Sequence, residues 1–162
     1  MMPRSTYLAR ALATLAFCAG AALSPTASAA HPGIHEMQDE AEKNLDKNPE
    51  DPNAYIHKGR LHHEAKEWDQ AMAAYRHARS HGADPVLVSY LEGNTLLQAD
   101  WPRTAILHYE DALSANPKSP DALIGRARAY MRLERPELAA KDFEAVFAVL
   151  DRIPPSLALA RM

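Results

Sequence analysis

The histidines are the residues whose type and spacing most suggest chemistry. The chain has 8 of them, and all but one lie between residues 31 and 81. His77 and His81 stand four residues apart, so on a helix they share a face and can bridge a divalent ion. Cleavage after Ala30 would make His31 the N-terminal residue, which can chelate copper through its amine and its imidazole. These residues make a periplasmic copper- or zinc-binding protein an alternative function.

The histidine pattern does not complete a metal site. No third His or carboxylate has a fixed spacing to His77 and His81. The run from His35 to Asp39 departs from the H-E-x-x-H pattern of metalloproteases at its last position. We therefore predict no specific metal ligand.

Residues for covalent catalysis are missing as well. The single cysteine, Cys18, lies in a segment that we expect to be removed, and Ser89 and Ser114 have no evident base partner. With only 6 glycines, the sequence has no glycine-rich phosphate loop. The formal charge of −3 argues against a nucleic-acid binder, which normally carries a basic surface. We predict a protein that is not an enzyme, needs no cofactor and binds no nucleic acid.

The first thirty residues have the features of an export signal. Arg4 and Arg10 precede an uncharged run from Ala11 to Leu23, and small residues follow at positions 27–30. The run is too short for a stable membrane span. We predict a signal peptide over residues 1–30, cleaved after Ala29 or Ala30. The mature chain would have 16 basic against 21 acidic residues and would be exported, most simply to the periplasm.

The rest of the chain repeats with a period of 34 residues. Small and aromatic residues recur in register: Gly59, Ala71, Tyr75 and Ala78, then Gly93, Ala105, Tyr109 and Ala112, then Ala127, Ala139, Phe143 and Val146. Such a period is typical of stacked helix hairpins, in which small residues allow close helix contact and the aromatic fills the space between hairpins. No stretch alternates long enough to predict a strand.

Capping signals mark the starts of the helices. Asp51, Asp84 and Ser119 each precede a proline, which is the usual order of an N-cap residue and the first helical residue. We predict helices at 52–65, 68–81, 86–98, 102–115, 120–133 and 136–152.

These repeats resemble the tetratricopeptide repeat. The matching residues are Tyr55, Gly59, Trp68, Ala71, Tyr75 and Ala78 in the first unit, Gly93, Leu96, Ala105, Tyr109, Ala112 and Pro117 in the second, and Leu123, Tyr130, Ala139 and Phe143 in the third. Lys58, Glu92 and Arg126 stand where the family often has Leu. The resemblance implies an all-α, right-handed solenoid of about three helix hairpins, at 52–85, 86–119 and 120–153.

The ends of the repeat region predict caps. Within residues 31–50, a helix over 34–48 with apolar Ile34, Met37, Ala41 and Leu45 would act as a leading cap, followed by a linker. We predict that residues 154–162 form a very short C-terminal cap. Either its apolar side chains cover the last helix, or that helix keeps an exposed patch through which the protein self-associates as a scaffold.

The resemblance also implies a binding groove lined by the first helices. We predict that the groove presents Arg60, His63, Tyr90, Asn94, Leu97, Arg128, Met131 and Arg132. Arg60, Asn94 and Arg128 resemble three positions of the carboxylate clamp of chaperone-docking members, but Ile56 and Ile124 replace its lysines. We expect a peptide ligand with some acidic character and apolar anchors, and hence a non-enzymatic protein-interaction module of the cell envelope. The alternative is that both arginines are merely solvated.

Overall fold

A computed structural model describes residues 32–150 of the 162-residue chain, and all regular secondary structure in this range is helical. The predicted signal peptide and the predicted C-terminal cap lie outside the described residues. The helices are α1 (Pro32–Lys47), α2 (Pro52–Glu64), α3 (Trp68–Ser80), α4 (Pro85–Gln98), α5 (Pro102–Ala115), α6 (Pro120–Arg132) and α7 (Pro136–Leu150).

The predicted N-caps start the first helix of every hairpin. The carboxylate of Asp51 accepts a hydrogen bond from a backbone N–H two residues later at 2.9 Å, and Asp84 does the same at 2.9 Å. Ser119 accepts from a backbone N–H three residues later. Each cap satisfies a donor that the helix itself leaves unpaired, and the proline that follows already has a helical φ. The helix predicted from residue 86 therefore begins one residue earlier.

The turn inside each hairpin has the same backbone conformation three times. Lys66, Asp100 and Glu134 are 34 residues apart and have φ of 61°, 64° and 57°. In the first two turns the next residue donates its N–H to a carbonyl five residues back, at 2.8 Å in both. A non-glycine residue in this left-handed region costs roughly 1 kcal/mol, so the surrounding helix packing must impose the turn.

The hairpins stack into two layers. The first helices α2, α4 and α6 each pack against the second helix of their own hairpin and against the second helix before it. The second helices α3, α5 and α7 form the other layer, together with α1. The described chain is an all-α solenoid, as predicted.

The repeat tyrosines fill the space between helices. Tyr75 and Tyr109 are 1% and 0% exposed. A Cβ added at Gly93 would lie 2.7 Å from Cε1 of Tyr109, and one at Gly59 would clash with Tyr75 in the same way. Both glycines therefore have the packing role that the sequence predicted. Gly125 also faces Tyr109, although the pattern had pointed to position 127 in this unit.

The three charged residues that replace the family leucine all form ion pairs. They occupy one repeat position, where burial of an unpaired charge would be costly. Their partners lie on neighbouring second helices or on α1. The pairs are Lys58 with Glu42 at 2.8 Å, Glu92 with Arg79 and with His108, and Arg126 with Asp142 through two hydrogen bonds of 2.9 and 2.6 Å.

The two ends of the described array differ. At the N-terminal end, α1 packs on α2 and buries Ala41 and Leu45. At the other end, Phe143, Phe147 and Leu150 of α7 are 37%, 65% and 47% exposed. Among the described helices, none combines the length and apolar character needed to cross a membrane.

Candidate peptide-binding groove

Three hydrogen-bond donors stand in register on the first helices. Arg60 lies on α2, Asn94 on α4 and Arg128 on α6, each 34 residues from the next. Both arginines are exposed, and neither forms an ion pair within residues 32–150. An exposed and unpaired guanidinium can bind the carboxylate of a ligand by donating two parallel hydrogen bonds to it.

Asn94 is oriented by the repeat tyrosine beneath it. The Tyr109 hydroxyl donates a hydrogen bond of 2.7 Å to Oδ1 of Asn94. Because that bond engages the amide oxygen, the Nδ2 group is left to donate to a ligand carbonyl or carboxylate. Burial raises the pKa of Tyr109, so its hydroxyl keeps the proton that this contact requires.

The two arginines lie close enough to the repeat tyrosines to influence them. Burial raises the pKa of Tyr75 to about 12, while the charge of Arg60 opposes this rise. Arg128 has the same opposing effect on the pKa of Tyr109. Each arginine therefore stands beside a buried, neutral hydroxyl.

His63 joins neighbouring first helices. Its Nδ1 lies 2.9 Å from Oγ1 of Thr95, whose own hydroxyl proton goes to the Leu91 carbonyl at 3.0 Å, so the imidazole is the donor. The ring also contacts Trp68 edge-on at 5.6 Å. Burial lowers the pKa of His63, which favours a neutral ring. His63 therefore forms contacts within the chain, to Thr95 of α4 and to Trp68 of α3.

The apolar residues of the predicted groove differ in exposure. Met131 is 54% exposed and Tyr90 is half-buried. Leu97 is 4% exposed and packs in a core cluster with Tyr109, so its side chain supports the groove floor. Ile56, at a lysine position of the clamp, is 7% exposed and belongs to the core, whereas Ile124 is 37% exposed. Of the three apolar residues predicted for the groove, Met131 and Tyr90 are the ones that reach the surface.

Arg132 is engaged in a weak surface pair. Its guanidinium lies 3.1 Å from the carboxylate of Asp100, and the two side chains are 50% and 82% exposed. A pair in such exposure contributes about 0–1 kcal/mol. A ligand carboxylate can therefore compete for Arg132 at little cost.

Comparison with known proteins identifies the family. The tetratricopeptide repeat family model matches residues 38–85 and 90–153, which together make up more than half of the chain. The chain belongs to the tetratricopeptide repeat family. No relative was found among curated proteins.

Solved structures share the fold of this tetratricopeptide repeat protein. A crystal structure of MamA superposes with a TM-score of 0.65 at 18% sequence identity, covering 74% of this chain and 70% of that chain. MamA MSR-1 superposes with a TM-score of 0.61 at 17% identity, covering 75% and 70%. At such identities the likeness concerns the fold alone.

The histidine pair predicted as an alternative metal site has other contacts in the tetratricopeptide array. His77 and His81 both stack on Tyr55, with ring centroids 5.4 and 4.9 Å away. Nδ1 of His81 also lies 2.8 Å from the His77 carbonyl oxygen. Within residues 32–150, no group of three His, Cys, Asp or Glu side chains could hold a metal ion. His31 lies outside the described residues.

Two features of the groove were not predicted from the tetratricopeptide pattern. One is the link from Tyr109 to Asn94, and the other is the bridge from His63 to Thr95. Both join residues 15 or more positions apart, so helix periodicity alone cannot reveal them. The fixed repeat offset could have brought Asn94 to Tyr109, because position nine of each unit directly follows the position of the ring-packing glycine, Gly93.

Proposed function

We propose that this protein is a non-enzymatic interaction module that binds a segment of another protein along α2, α4 and α6. The observation that carries the proposal is the row of donors formed by Arg60, Asn94 and Arg128. The tetratricopeptide fold supports a protein or peptide partner. In this reading the second helices serve to hold the first helices in register.

The chemistry of the row selects the ligand. Both arginines are donors only, and the hydrogen bond from Tyr109 leaves Asn94 with its donors outward. The ligand must therefore supply acceptors, which in a peptide are backbone carbonyls and carboxylates. Met131 and Tyr90 would hold apolar side chains of the same segment, as central anchors do in protein interfaces.

The proposed place of action is the bacterial periplasm. The support is the predicted signal peptide at residues 1–30, with its basic start, uncharged run and small-residue exit. Fractionation of cells expressing the tagged protein, with N-terminal sequencing of the product, tests this. Processing after Ala29 or Ala30 and recovery with periplasmic markers are expected, and an unprocessed cytoplasmic product would contradict the proposal.

The groove is tested with two charge-matched double variants. Arg60→Ala with Arg128→Ala removes the outer donors, whereas Arg76→Ala with Arg103→Ala removes two exposed arginines from the second helices. Proteins captured from cell-envelope extract are quantified for each. The groove variant should capture at least tenfold less partner protein than the unmodified protein, because two charge-assisted contacts are removed. The control variant should capture as much as the unmodified protein. Equal capture by both variants would exclude the donor row.

The exposed end of α7 supports a second candidate, a scaffold that self-associates. Phe143 and Phe147 stand in register with Tyr109 and Leu113, which are 0% and 8% exposed beneath the next helix. We propose that another copy packs on this face. Sedimentation over a range of concentrations tests it: association that Phe147→Ser abolishes supports the scaffold, and a concentration-independent monomer excludes it.

A further inference from the structure

Both tryptophans of the chain line one cleft outside the donor row. The cleft has a volume of about 480 Å³ and lies between the first turn of α3 and the turn that joins α4 to α5. That volume is within the range of pockets that take small ligands or single side chains. Its lining includes Trp68, Trp101, Met72 and Leu96.

The repeat geometry explains why the tryptophans meet there. Trp68 is the first residue of α3, and Trp101 is the residue that precedes α5. Trp68 comes two residues after the left-handed residue Lys66, and Trp101 comes one residue after Asp100, so the two lie at the corresponding turns of successive hairpins. The ring of Trp68 is steadied edge-on by His63, while Trp101 is 62% exposed. An indole left this open is available to a ligand.

The floor of the cleft is fixed by the core. Leu96 is 9% exposed and belongs to the cluster around Tyr109, and Met72 packs against the same cluster. Thr95, at the inner wall, is fully buried. The apolar floor therefore keeps its shape without a ligand, which reduces the entropic cost of binding.

Charges at the rim favour a cation. Glu67 and Asp69 line the cleft together with one basic residue, Lys66. The carboxylate of Glu67 is held by Gln38 and His62 at 2.9 and 2.7 Å. Asp69 is exposed and forms no ion pair within residues 32–150. The rim thus carries an excess of negative charge beside two aromatic faces.

We propose that this cleft binds an arginine side chain of a partner protein, with the guanidinium against an indole face and near Asp69. Aromatic faces attract cations, tryptophan most strongly. Arginine is favoured over lysine because its planar group stacks on aromatic rings and is more weakly hydrated than an ammonium. The site is separate from the row of Arg60, Asn94 and Arg128, which selects acceptors.

Tryptophan fluorescence can report on the cleft, because both of the 2 tryptophans in the chain line it. The mature protein is titrated with acetyl-Leu-Arg-Leu-amide while intrinsic fluorescence is recorded, and the matched peptide contains citrulline, which has arginine's shape without its charge. We expect saturable quenching by the arginine peptide and affinity about tenfold weaker for citrulline. Equal affinities would mean a purely apolar cleft, and no saturation would mean no site. Either outcome overturns the proposal.

Three charge variants test whether the cleft prefers a positively or a negatively charged ligand. Asp69→Asn should weaken arginine-peptide binding about threefold to tenfold, and Lys66→Met should strengthen it about twofold, whereas neither should alter citrulline binding. Asp111→Asn, which removes an exposed carboxylate of α5 outside the cleft, should change nothing. Preference for acetyl-Leu-Glu-Leu-amide, lost in Lys66→Met, would show an anion site and refute the proposal.

NMR spectroscopy tests whether the peptide binds beside the two tryptophans or changes their fluorescence from a distance. In a ¹⁵N-labelled sample the two indole N–H signals are assigned with Trp101→Phe. The arginine peptide should shift both signals, with the same midpoint as the fluorescence titration. The Arg60→Ala/Arg128→Ala variant should give the same shifts, so failure of the donor row and failure of the cleft are told apart. Shifts confined to backbone signals along α2, α4 and α6 would contradict the cleft.

Discussion

Replacing Gly93 by alanine tests how the hairpins pack. The added Cβ would lie 2.7 Å from Cε1 and 2.9 Å from Cδ1 of Tyr109, well inside normal contact. The ring is 0% exposed, and Gly125 faces it as well, so the ring has no room to withdraw. Overpacking costs about 1–3 kcal/mol, and we expect the upper end here. Alanine regains about 1 kcal/mol of helix propensity, which leaves a net loss of about 2 kcal/mol.

Urea denaturation followed by circular dichroism measures the change. Gly33→Ala is the matched control, because Gly33 also lies in a helix but has nothing within 4 Å of an added Cβ. The control should gain up to about 1 kcal/mol. In a Tyr109→Leu background the cost of Gly93→Ala should vanish, since the opposing ring is gone. A Gly93→Ala protein as stable as the control would refute the packing argument.

Three further changes give separate readings of the same structure. Asp142→Ala leaves the guanidinium of Arg126 without its two hydrogen bonds, so urea denaturation should show a loss of about 2–3 kcal/mol, and an unchanged midpoint would contradict the pair. Leu113→Ser should lower the free energy of unfolding by about 3 kcal/mol and Phe147→Ser by under about 1 kcal/mol. The reason is that the Leu113 side chain is 8% exposed and the Phe147 side chain 65%. Equal losses would mean that the Phe147 face of α7 is covered. The lowered pKa of His63 means that the unfolded chain takes up the proton first, so stability should fall as the pH drops below about 6.5, and His63→Gln should flatten that pH dependence in thermal melts.

The hairpin architecture could be predicted because local signals agree with the global fold. The caps at Asp51, Asp84 and Ser119 act within three residues, so the sequence alone reveals them. The 34-residue period fixes which helices pack together, and the tyrosine and glycine positions follow from it. The leading helix α1 was found in the same way, from the spacing of apolar residues such as Ala41 and Leu45.

Other features depend on packing that the period does not contain. The left-handed turns at Lys66, Asp100 and Glu134 carry no glycine, so nothing local marks them. Leu97 was predicted for the groove surface and lies in the core, because a small rotation of α4 about its axis moves a side chain from groove to interior. Gly125 faces Tyr109 across the contact between successive hairpins. The repeat pattern marks position 127 instead, so the sequence did not reveal this contact.

Photocrosslinking from two similarly exposed positions tests the groove most directly. A photoreactive residue replaces Met131 on α6, which is 54% exposed, or Leu107 on α5, which is 59% exposed. The proteins are irradiated in cells, and the adducts are compared by mass. We predict adducts with a partner protein from position 131 and none from position 107. Adducts from position 107 alone, or equal adducts from both, would contradict recognition along the first helices.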